Sequence, residues 1–227
     1  METFVTIERA LEIVRSVPLN RGAEQISLDE AHNRILVEDL VSKVDDPRFD
    51  NSAMDGWAVR VEDEHRTEIG TTAAGDAPIS IGPGEAVRIM TGAPMPEGAD
   101  AIVMVEDGLQ GQARPHFIRR RAENLAEGEV ALSKGQIMTP AAISLAATMG
   151  HATIPVQRRL TVTVISTGDE LVPPGEELSE GQIHESNSYG LCALLERIGC
   201  TATRHSVVED SLEGLRDALD GVDCDVI

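Results

Sequence analysis

The chain has 227 residues and a formal net charge of −20 at pH 7, which argues against non-specific binding to nucleic acid or to an anionic membrane. Only one Trp, one Tyr and three Phe are present, too few for a platform that stacks the bases of a single strand. Hydrophobic residues make up 41% of the chain, which excludes general disorder.

The first predicted element is a helix that Thr6 caps and Pro18 ends. Its apolar residues recur at helical spacing: Ile7, Leu11 and Val14. Because isolated helices of this length are marginal in water, we expect it to pack against an element distant in sequence. Ser27 and Glu30 fit the capping box of a second short helix, and residues 35–44 are typical of extended chain.

Residues 45–120 predict a small β-rich module inserted between two halves of another structure. Gly and Pro crowd residues 70–98, and short apolar runs lie between the turns. The predicted strands are Trp57–Val61, Ala86–Met90, Ala101–Val105 and His116–Arg119. A helix follows, capped by Thr139, with Pro140 in its first turn and Gly150 at its end.

The region after Leu160 alternates strands and helices, which predicts a parallel, doubly wound α/β sheet. Strands are expected at 161–166, 201–207 and 223–227, and helices at 188–198 and from Asp210. A parallel sheet is normally covered on both faces, yet the sequence stops inside its last apolar strand. We therefore expect a fragment of a longer protein, with a natural edge strand as the alternative.

The first polar cluster is PRFDNSAMDGWAVR, residues 47–60. It gathers Asp50, Asn51, Ser52 and Asp55 around Gly56. Carboxylates beside hydroxyl and amide groups can hold a hard cation such as Mg²⁺. An ordinary Asp-Gly turn is the alternative interpretation.

The second cluster, VRIMTGAPMPEGADAIVMVED at residues 87–107, places Thr91 and Gly92 directly after a predicted strand. A hydroxyl and exposed backbone N–H groups at this point could face an oxyanion. A Pro-rich loop that only joins two strands would look the same.

The third cluster spans residues 166–188 and begins at the carboxyl end of the first strand of the parallel sheet, where open α/β sheets bind ligands. Its adjacent carboxylates, Asp169 and Glu170, predict a divalent metal beside an anionic ligand, or else a solvated acidic turn. The helix N-terminus near Asn187 and Ser188 could accept a phosphate. No GxGxxG or Walker motif is present.

The cysteines are Cys192, Cys200 and Cys224. An odd number without CxxC spacing fits a reducing cytoplasm better than a disulfide framework or a zinc site. The sequence has no apolar run of ~18 residues, as a membrane span requires, and no secretory signal at its start.

Together and in this order, FDNSAMDGWAVR, RIMTGAPMPEGADAIVMVE, STGDELVPPG and GQIHESNS resemble the molybdopterin molybdenumtransferase family. This is the MoeA type of bacteria and the E domain of gephyrin. The resemblance runs from the first helix to Ile227 and implies insertion of molybdate into adenylylated molybdopterin, with release of AMP and dependence on Mg²⁺. It also implies an elongated homodimer.

The resemblance assigns roles to individual positions. Asp55, Thr91 and Glu170 match catalytic residues of the family's active cleft. The implied binding and metal positions are these: Ser52, Gly92, Thr167, Gly168, Asn187 and Ser188 for molybdopterin, and Asp169, Glu170 and Asp210 for the metal. Asn124 stands where several members carry Asp.

The resemblance further implies three domains. Residues 21–44 and 121–158 form an elongated linking domain, 45–120 the β-rich inserted domain, and 1–20 with 159–227 a truncated α/β domain of molybdopterin-binding type. The family's later Gly-rich loop and C-terminal barrel are not in this sequence, so we expect an incomplete molybdopterin site. A non-catalytic scaffold of the gephyrin type is the alternative function. Implied protein partners are the upstream molybdopterin adenylyltransferase and recipient molybdoenzymes.

Overall fold

The structure, a computed structural model, describes residues 4–18 and 22–227. The described chain forms two compact units. The α/β unit comprises residues 4–18, 22–26, 33–37 and 155–227, and the β unit comprises 27–32 and 38–154. Both units contain parts of the predicted linking domain, so the division into three domains stays a prediction. Its boundary between residues 20 and 21 lies outside the described residues.

The secondary structure is rich in short strands. The helices are α1 Ile7–Ser16, α2 Pro140–Thr148, α3 Asn187–Arg197 and α4 Leu212–Asp220. The strands are β1 Ala23–Ser27, β2 Leu40–Val41, β3 Asn51–Ser52, β4 Gly56–Val59, β5 Thr67–Thr72, β6 Glu85–Ile89, β7 Ala101–Met104, β8 Ala113–Arg114, β9 Ile118–Arg119, β10 Val130–Leu132, β11 Thr153–Gln157, β12 Thr161–Val164, β13 Leu171–Val172, β14 Ile183–His184 and β15 Thr201–Arg204. Single 3₁₀ turns lie at Leu28–Glu30, Val105–Asp107 and Pro115–Phe117.

The parallel sheet of the α/β unit is confirmed. β12 pairs with β15 in parallel, with Val162 opposite Ala202. The predicted last strand is reduced to a parallel bridge between Val162 and Val226. The helix expected from Asp210 begins at Leu212, because the Ser211 hydroxyl accepts the N–H of Gly214 and so caps it.

Helix α1 forms as predicted but does not pack as predicted. The Thr6 hydroxyl accepts the N–H of Arg9 at 3.2 Å, and the helix ends at Ser16, before Pro18. No residue of α1 is buried, and Ile7 and Val14 are 78% and 69% exposed. The expected burial against a distant element is therefore absent within this helix.

The core of the β unit is a five-stranded sheet with the order β5-β6-β4-β7-β8. β4 runs antiparallel to both of its neighbours, and β5 runs parallel to β6. Successive residues of β4 point to opposite faces, so Ala58 joins one buried cluster with Ile89 and Ile102, and Val59 joins another with Ala86 and Val103. The predicted strands of residues 57–61, 86–90 and 101–105 are confirmed within two residues.

Of the two other helices predicted before residue 150, one is confirmed and the other is present only as a 3₁₀ turn without the predicted capping box. α2 begins at Pro140 with the Thr139 hydroxyl accepting the N–H of Ala142 at 3.2 Å. The second short helix is instead a single 3₁₀ turn. The Ser27 hydroxyl donates to the Glu30 carboxylate at 3.1 Å and makes no cap bond to the backbone.

Across the described residues, every helix is too short or too polar to cross a bilayer.

Candidate functional site

The predicted site residues fall into two groups, one in each unit. In the β unit, Asp55 and Thr91 come together at one end of the antiparallel pair β4 and β6. Gly56 at the start of β4 lies opposite Ile89 at the end of β6, so the residue before one strand meets the turn after the other. Asp55 Oδ1 accepts the backbone N–H of Thr91 at 2.7 Å and its hydroxyl at 2.8 Å. These two hydrogen bonds fix one carboxylate oxygen of an exposed side chain.

The electrostatics of this group favour an ionised carboxylate. The Thr91 backbone and hydroxyl bonds hold the pKa of the Asp55 carboxyl below its ordinary value, and attraction by the Arg88 guanidinium adds to them. Asp55 is therefore a carboxylate of fixed orientation at neutral pH, suited to accept a hydrogen bond or to bind a cation.

Ser52 and Gly92 stabilise this turn through backbone and side-chain hydrogen bonds. Ser52 is fully buried, its hydroxyl donates to the Met54 carbonyl at 2.6 Å, and its own carbonyl accepts the N–H of Gly92 at 2.8 Å. The N–H groups of Thr91 and Gly92 are thus already used within the protein. These bonds do not support the expectation that the two N–H groups face an oxyanion, because Asp55 and Ser52 accept them; the binding role of Gly92 stays a prediction.

Polar and charged residues join the chain segment that enters the β-rich module, residues 46–50, to the segment that leaves it, residues 120–124. Asp50 accepts the Arg120 guanidinium at 2.7 Å and the Arg121 N–H at 2.8 Å. Burial alone would raise the pKa of the Asp50 carboxyl, but these two bonds outweigh it and the pKa is lowered. Asn124 donates to the Asp46 carboxylate at 3.1 Å. These side chains are occupied in holding the two chain segments together.

In the α/β unit, residues 166–170 leave β12 in a tight turn. Thr167 bridges Val208 in parallel, and the Gly168 N–H donates to the Val208 carbonyl at 3.2 Å. Gly168 has a φ of +151°, and a Cβ at this position would lie 2.6 Å from a Glu170 carboxylate oxygen. The absence of a side chain at Gly168 therefore gives the Glu170 carboxylate its place.

The predicted metal ligands lie on this turn and on the loop before α4. The Asp210 N–H donates to Asp169 Oδ1 at 3.1 Å, so the two loops are adjacent. All three side chains, Asp169, Glu170 and Asp210, are exposed. Within residues 4–18 and 22–227 no three His, Cys, Asp or Glu side chains are gathered as a ready ligand set.

This donor set nevertheless fits Mg²⁺. Mg²⁺ commonly takes one or two carboxylates from the protein and completes its shell with water and substrate phosphate oxygens. Two adjacent, solvent-facing carboxylates supply hard oxygen donors of that kind. The roles of these residues stay a prediction.

Glu185 is a functional candidate that the sequence reasoning missed. It is only 4% exposed and accepts the Ser188 N–H at 2.8 Å, the Ser188 hydroxyl at 2.5 Å and the Ser166 hydroxyl at 3.1 Å. Led by the Ser188 hydroxyl, these bonds lower the pKa of the Glu185 carboxyl. The signal was present as an acid three residues before Ser188, at the start of a predicted helix.

Glu185 changes the interpretation of the α3 N-terminus. Ser188 is buried, and its N–H and hydroxyl are both bound to Glu185. The Ser188 N–H does not support a phosphate at this helix N-terminus, since the Glu185 carboxylate already accepts it; the binding roles of Asn187 and Ser188 stay a prediction. Asn187 remains exposed at this end of the helix.

Comparison with known proteins finds two family models that together cover most of the chain. Residues 5–150 match the MoeA N-terminal region (domain I and II), and residues 163–227 match a probable molybdopterin binding domain. A molybdopterin molybdenumtransferase of Haemophilus influenzae is 38% identical over 92% of this chain and 55% of its own length. Molybdopterin molybdenumtransferase 2 of Mycobacterium tuberculosis is 42% identical over 89% and 55%.

Solved structures agree with these sequence matches. A crystal structure of the molybdopterin biosynthesis MoeA protein of Pyrococcus horikoshii superposes with a TM-score of 0.81 and 33% identity, covering 95% of this chain and 60% of that one. The chain spans about half the length of the curated relatives it matches. On the match over residues 5–150, the chain belongs to the MoeA family, to which its motifs had pointed.

Proposed function

We propose that this chain takes part in inserting molybdate into adenylylated molybdopterin, with release of AMP and with Mg²⁺ as the supporting cation. The observation that carries the proposal is the fixed Asp55–Thr91 pair within the region that matches MoeA domains I and II. A second, exposed acidic pair, Asp169 and Glu170, lies in the region that matches the probable molybdopterin binding domain.

The charges of substrate and protein support the proposed role of a divalent cation. Both substrates are anions, and the chain carries −20. Two like unit charges ~4 Å apart repel by about 4 kcal/mol at an effective dielectric constant of ~20. Asp169, Glu170 and Asp210 would hold the divalent cation, which when bound neutralises phosphate charge and polarises a phosphoryl oxygen.

The chain's own residues have separable parts in this proposal. Thr91 orients Asp55 and keeps it ionised, so one carboxylate oxygen stays available at a fixed place. Gly168 leaves room for the Glu170 carboxylate beside the turn. Glu185 holds Ser166 and Ser188 and so fixes both ends of the 166–188 loop.

The test compares Glu170→Gln with Glu176→Gln, a neighbouring exposed acid of the same loop. AMP release from adenylylated molybdopterin is followed with molybdate, with and without Mg²⁺, and thermal unfolding is measured in parallel. We expect Glu170→Gln to lose turnover without losing thermal stability, and Glu176→Gln to retain both. Equal losses of activity and stability in Glu170→Gln would contradict the proposal. Binding of molybdopterin by the wild type without AMP release would favour the scaffold function instead.

We also propose that the chain works as a homodimer in the cytoplasm. The apolar residues Ile7, Leu11 and Val14 of α1 are 78%, 47% and 69% exposed, which favours their burial against another surface. Sedimentation of the wild type and of Ile7→Ser/Val14→Ser tests this. Dissociation of a wild-type dimer by the double substitution is expected, and unchanged mass would exclude α1 from the interface.

A further inference from the structure

The β unit contains an arginine that stacks on a tryptophan and makes no hydrogen bond to any residue that the structure describes. Arg88 lies on β6 directly opposite Trp57 of β4 in the antiparallel register. Its guanidinium carbon is 4.6 Å from the centre of the indole ring, a cation–π contact. Across residues 4–18 and 22–227, no hydrogen bond or ion pair uses the five N–H donors of Arg88.

The platform beneath Arg88 is itself fixed. The Trp57 indole N–H donates to the Glu68 carboxylate at 2.6 Å, and Trp57 packs against the buried cluster that contains Val59 and Val103. Stacking on a fixed ring restricts the guanidinium at little entropic cost, and its N–H donors make no hydrogen bond to the described residues. A guanidinium edge binds tetrahedral oxyanions through two parallel hydrogen bonds.

Arg88 also faces the Asp55 group. Asp55 precedes Trp57 by two residues, so Arg88 is its diagonal cross-strand neighbour on the same face. The Arg88 charge attracts the Asp55 carboxylate, but the two side chains do not form a direct ion pair. The positive charge therefore remains available beside a carboxylate that would otherwise repel anions.

We propose that Arg88, stacked on Trp57, binds a tetrahedral oxyanion beside Asp55 and Thr91. The proposal rests on the proposed function, whose substrates include molybdate and a phosphate-bearing pterin. Arg88 would be the hydrogen-bond donor for that ligand class. The backbone N–H groups of Thr91 and Gly92 cannot take this role because they are already bonded within the protein.

The chain supplies its own probe, because Trp57 is its single tryptophan. The fluorescence of Trp57 is titrated with sodium molybdate, and separately with phosphate and with AMP, at constant ionic strength. The variants are Arg88→Gln and a matched control, Arg114→Gln. Arg114 lies on the same sheet, 5.6 Å from the centre of the Phe117 ring, but it is already paired with Asp107 at 2.6 Å.

Loss of a charge-assisted bidentate contact is expected to weaken anion affinity about 10- to 100-fold in Arg88→Gln. Arg114→Gln should leave the affinity unchanged. A response to molybdate alone would assign Arg88 to the metal oxyanion, and a response to phosphate and AMP would assign it to the nucleotide end.

Two outcomes overturn the proposal. Equal affinity in the wild type and Arg88→Gln, with normal AMP release by the wild type, removes Arg88 and leaves the proposed function intact. No response to any of the three anions also overturns it, and AMP release then decides the proposed function separately.

Discussion

The substitution Glu185→Gln tests whether a buried carboxylate organises the 166–188 loop. It keeps the size and shape of the side chain and removes its charge. Oε1 accepts the Ser166 hydroxyl and the Ser188 N–H, and Oε2 accepts the Ser188 hydroxyl. The amide of glutamine replaces one acceptor oxygen with a donor, so at least one of these bonds must be lost or reversed.

The magnitude follows from the number and type of bonds. Hydrogen bonds to charged groups contribute about 1.5–3 kcal/mol and neutral ones about 0.5–1.5 kcal/mol, so each converted bond loses about 1 kcal/mol. The neutral glutamine also avoids the cost of burying a charge, which offsets part of the free energy lost from the three hydrogen bonds. We expect a net loss of about 2 kcal/mol at pH 7, or about 4–8 °C in melting temperature for a chain of this size.

The contribution of Glu185 to the free energy of unfolding depends on pH. Folding lowers the pKa of the Glu185 carboxyl below its ordinary value of 4.5. Its stabilising contribution is therefore complete above the unfolded pKa and is lost as the pH falls through the folded pKa. The difference between wild type and Glu185→Gln should shrink below pH 4.5 and be constant above it.

The assay is thermal unfolding followed by far-UV circular dichroism between pH 3 and 8. The control is Glu180→Gln, an exposed acid on the same loop. The reasoning would be refuted if both variants shifted the melting temperature equally at pH 7, or if the Glu185→Gln difference persisted unchanged at pH 3.

Three further substitutions probe other parts of the chain. In Gly56→Ala the new Cβ would lie 1.9 Å from the Val103 carbonyl oxygen, so we expect the Trp57 emission to report unfolding of the sheet at a much lower temperature. Gly190→Ala in α3 meets no atom within 4 Å and should stabilise the chain by about 0.5–1 kcal/mol in urea unfolding. Thr91→Val removes one bond to Asp55 and should raise the pKa of that carboxyl in a ¹³C NMR titration, whereas Thr91→Ser should not.

The strands of the β unit could be predicted where they are apolar and bounded by turns. β4, β6 and β7 contain most of the buried residues of the two clusters and were identified within two residues. β5, Thr67–Thr72, was missed because only its last residue, Thr72, is buried. It lies at the edge of the sheet, where pairing to β6 rather than a hydrophobic pattern holds it.

The site could be predicted as a set of positions but not as a set of bonds. The resemblance to the family singled out Asp55 and Thr91, and the structure joins them by two hydrogen bonds. The motif spacing could not distinguish Glu185 from the exposed acids of its loop, since its burial depends on how α3 packs. Nor could it show that Asp55 and Ser52 accept the N–H groups expected to face a ligand.

The four carboxylates differ in how many lone pairs the protein already uses, and this separates structural acids from ligand-binding ones. Glu185 has both oxygens bonded and buried. Asp55 has one oxygen bonded twice, Asp169 accepts one N–H, and within the described residues Glu170 accepts no hydrogen bond through its carboxylate. A cation competes only for lone pairs that are free, so its binding should depend most on Glu170 and least on Glu185. Because the Glu170 carboxylate accepts no hydrogen bond from the described residues, Glu170→Gln should impair catalysis alone, while Glu185→Gln should impair folding first. Melting temperature and AMP release measured on the same two variants therefore separate the two roles.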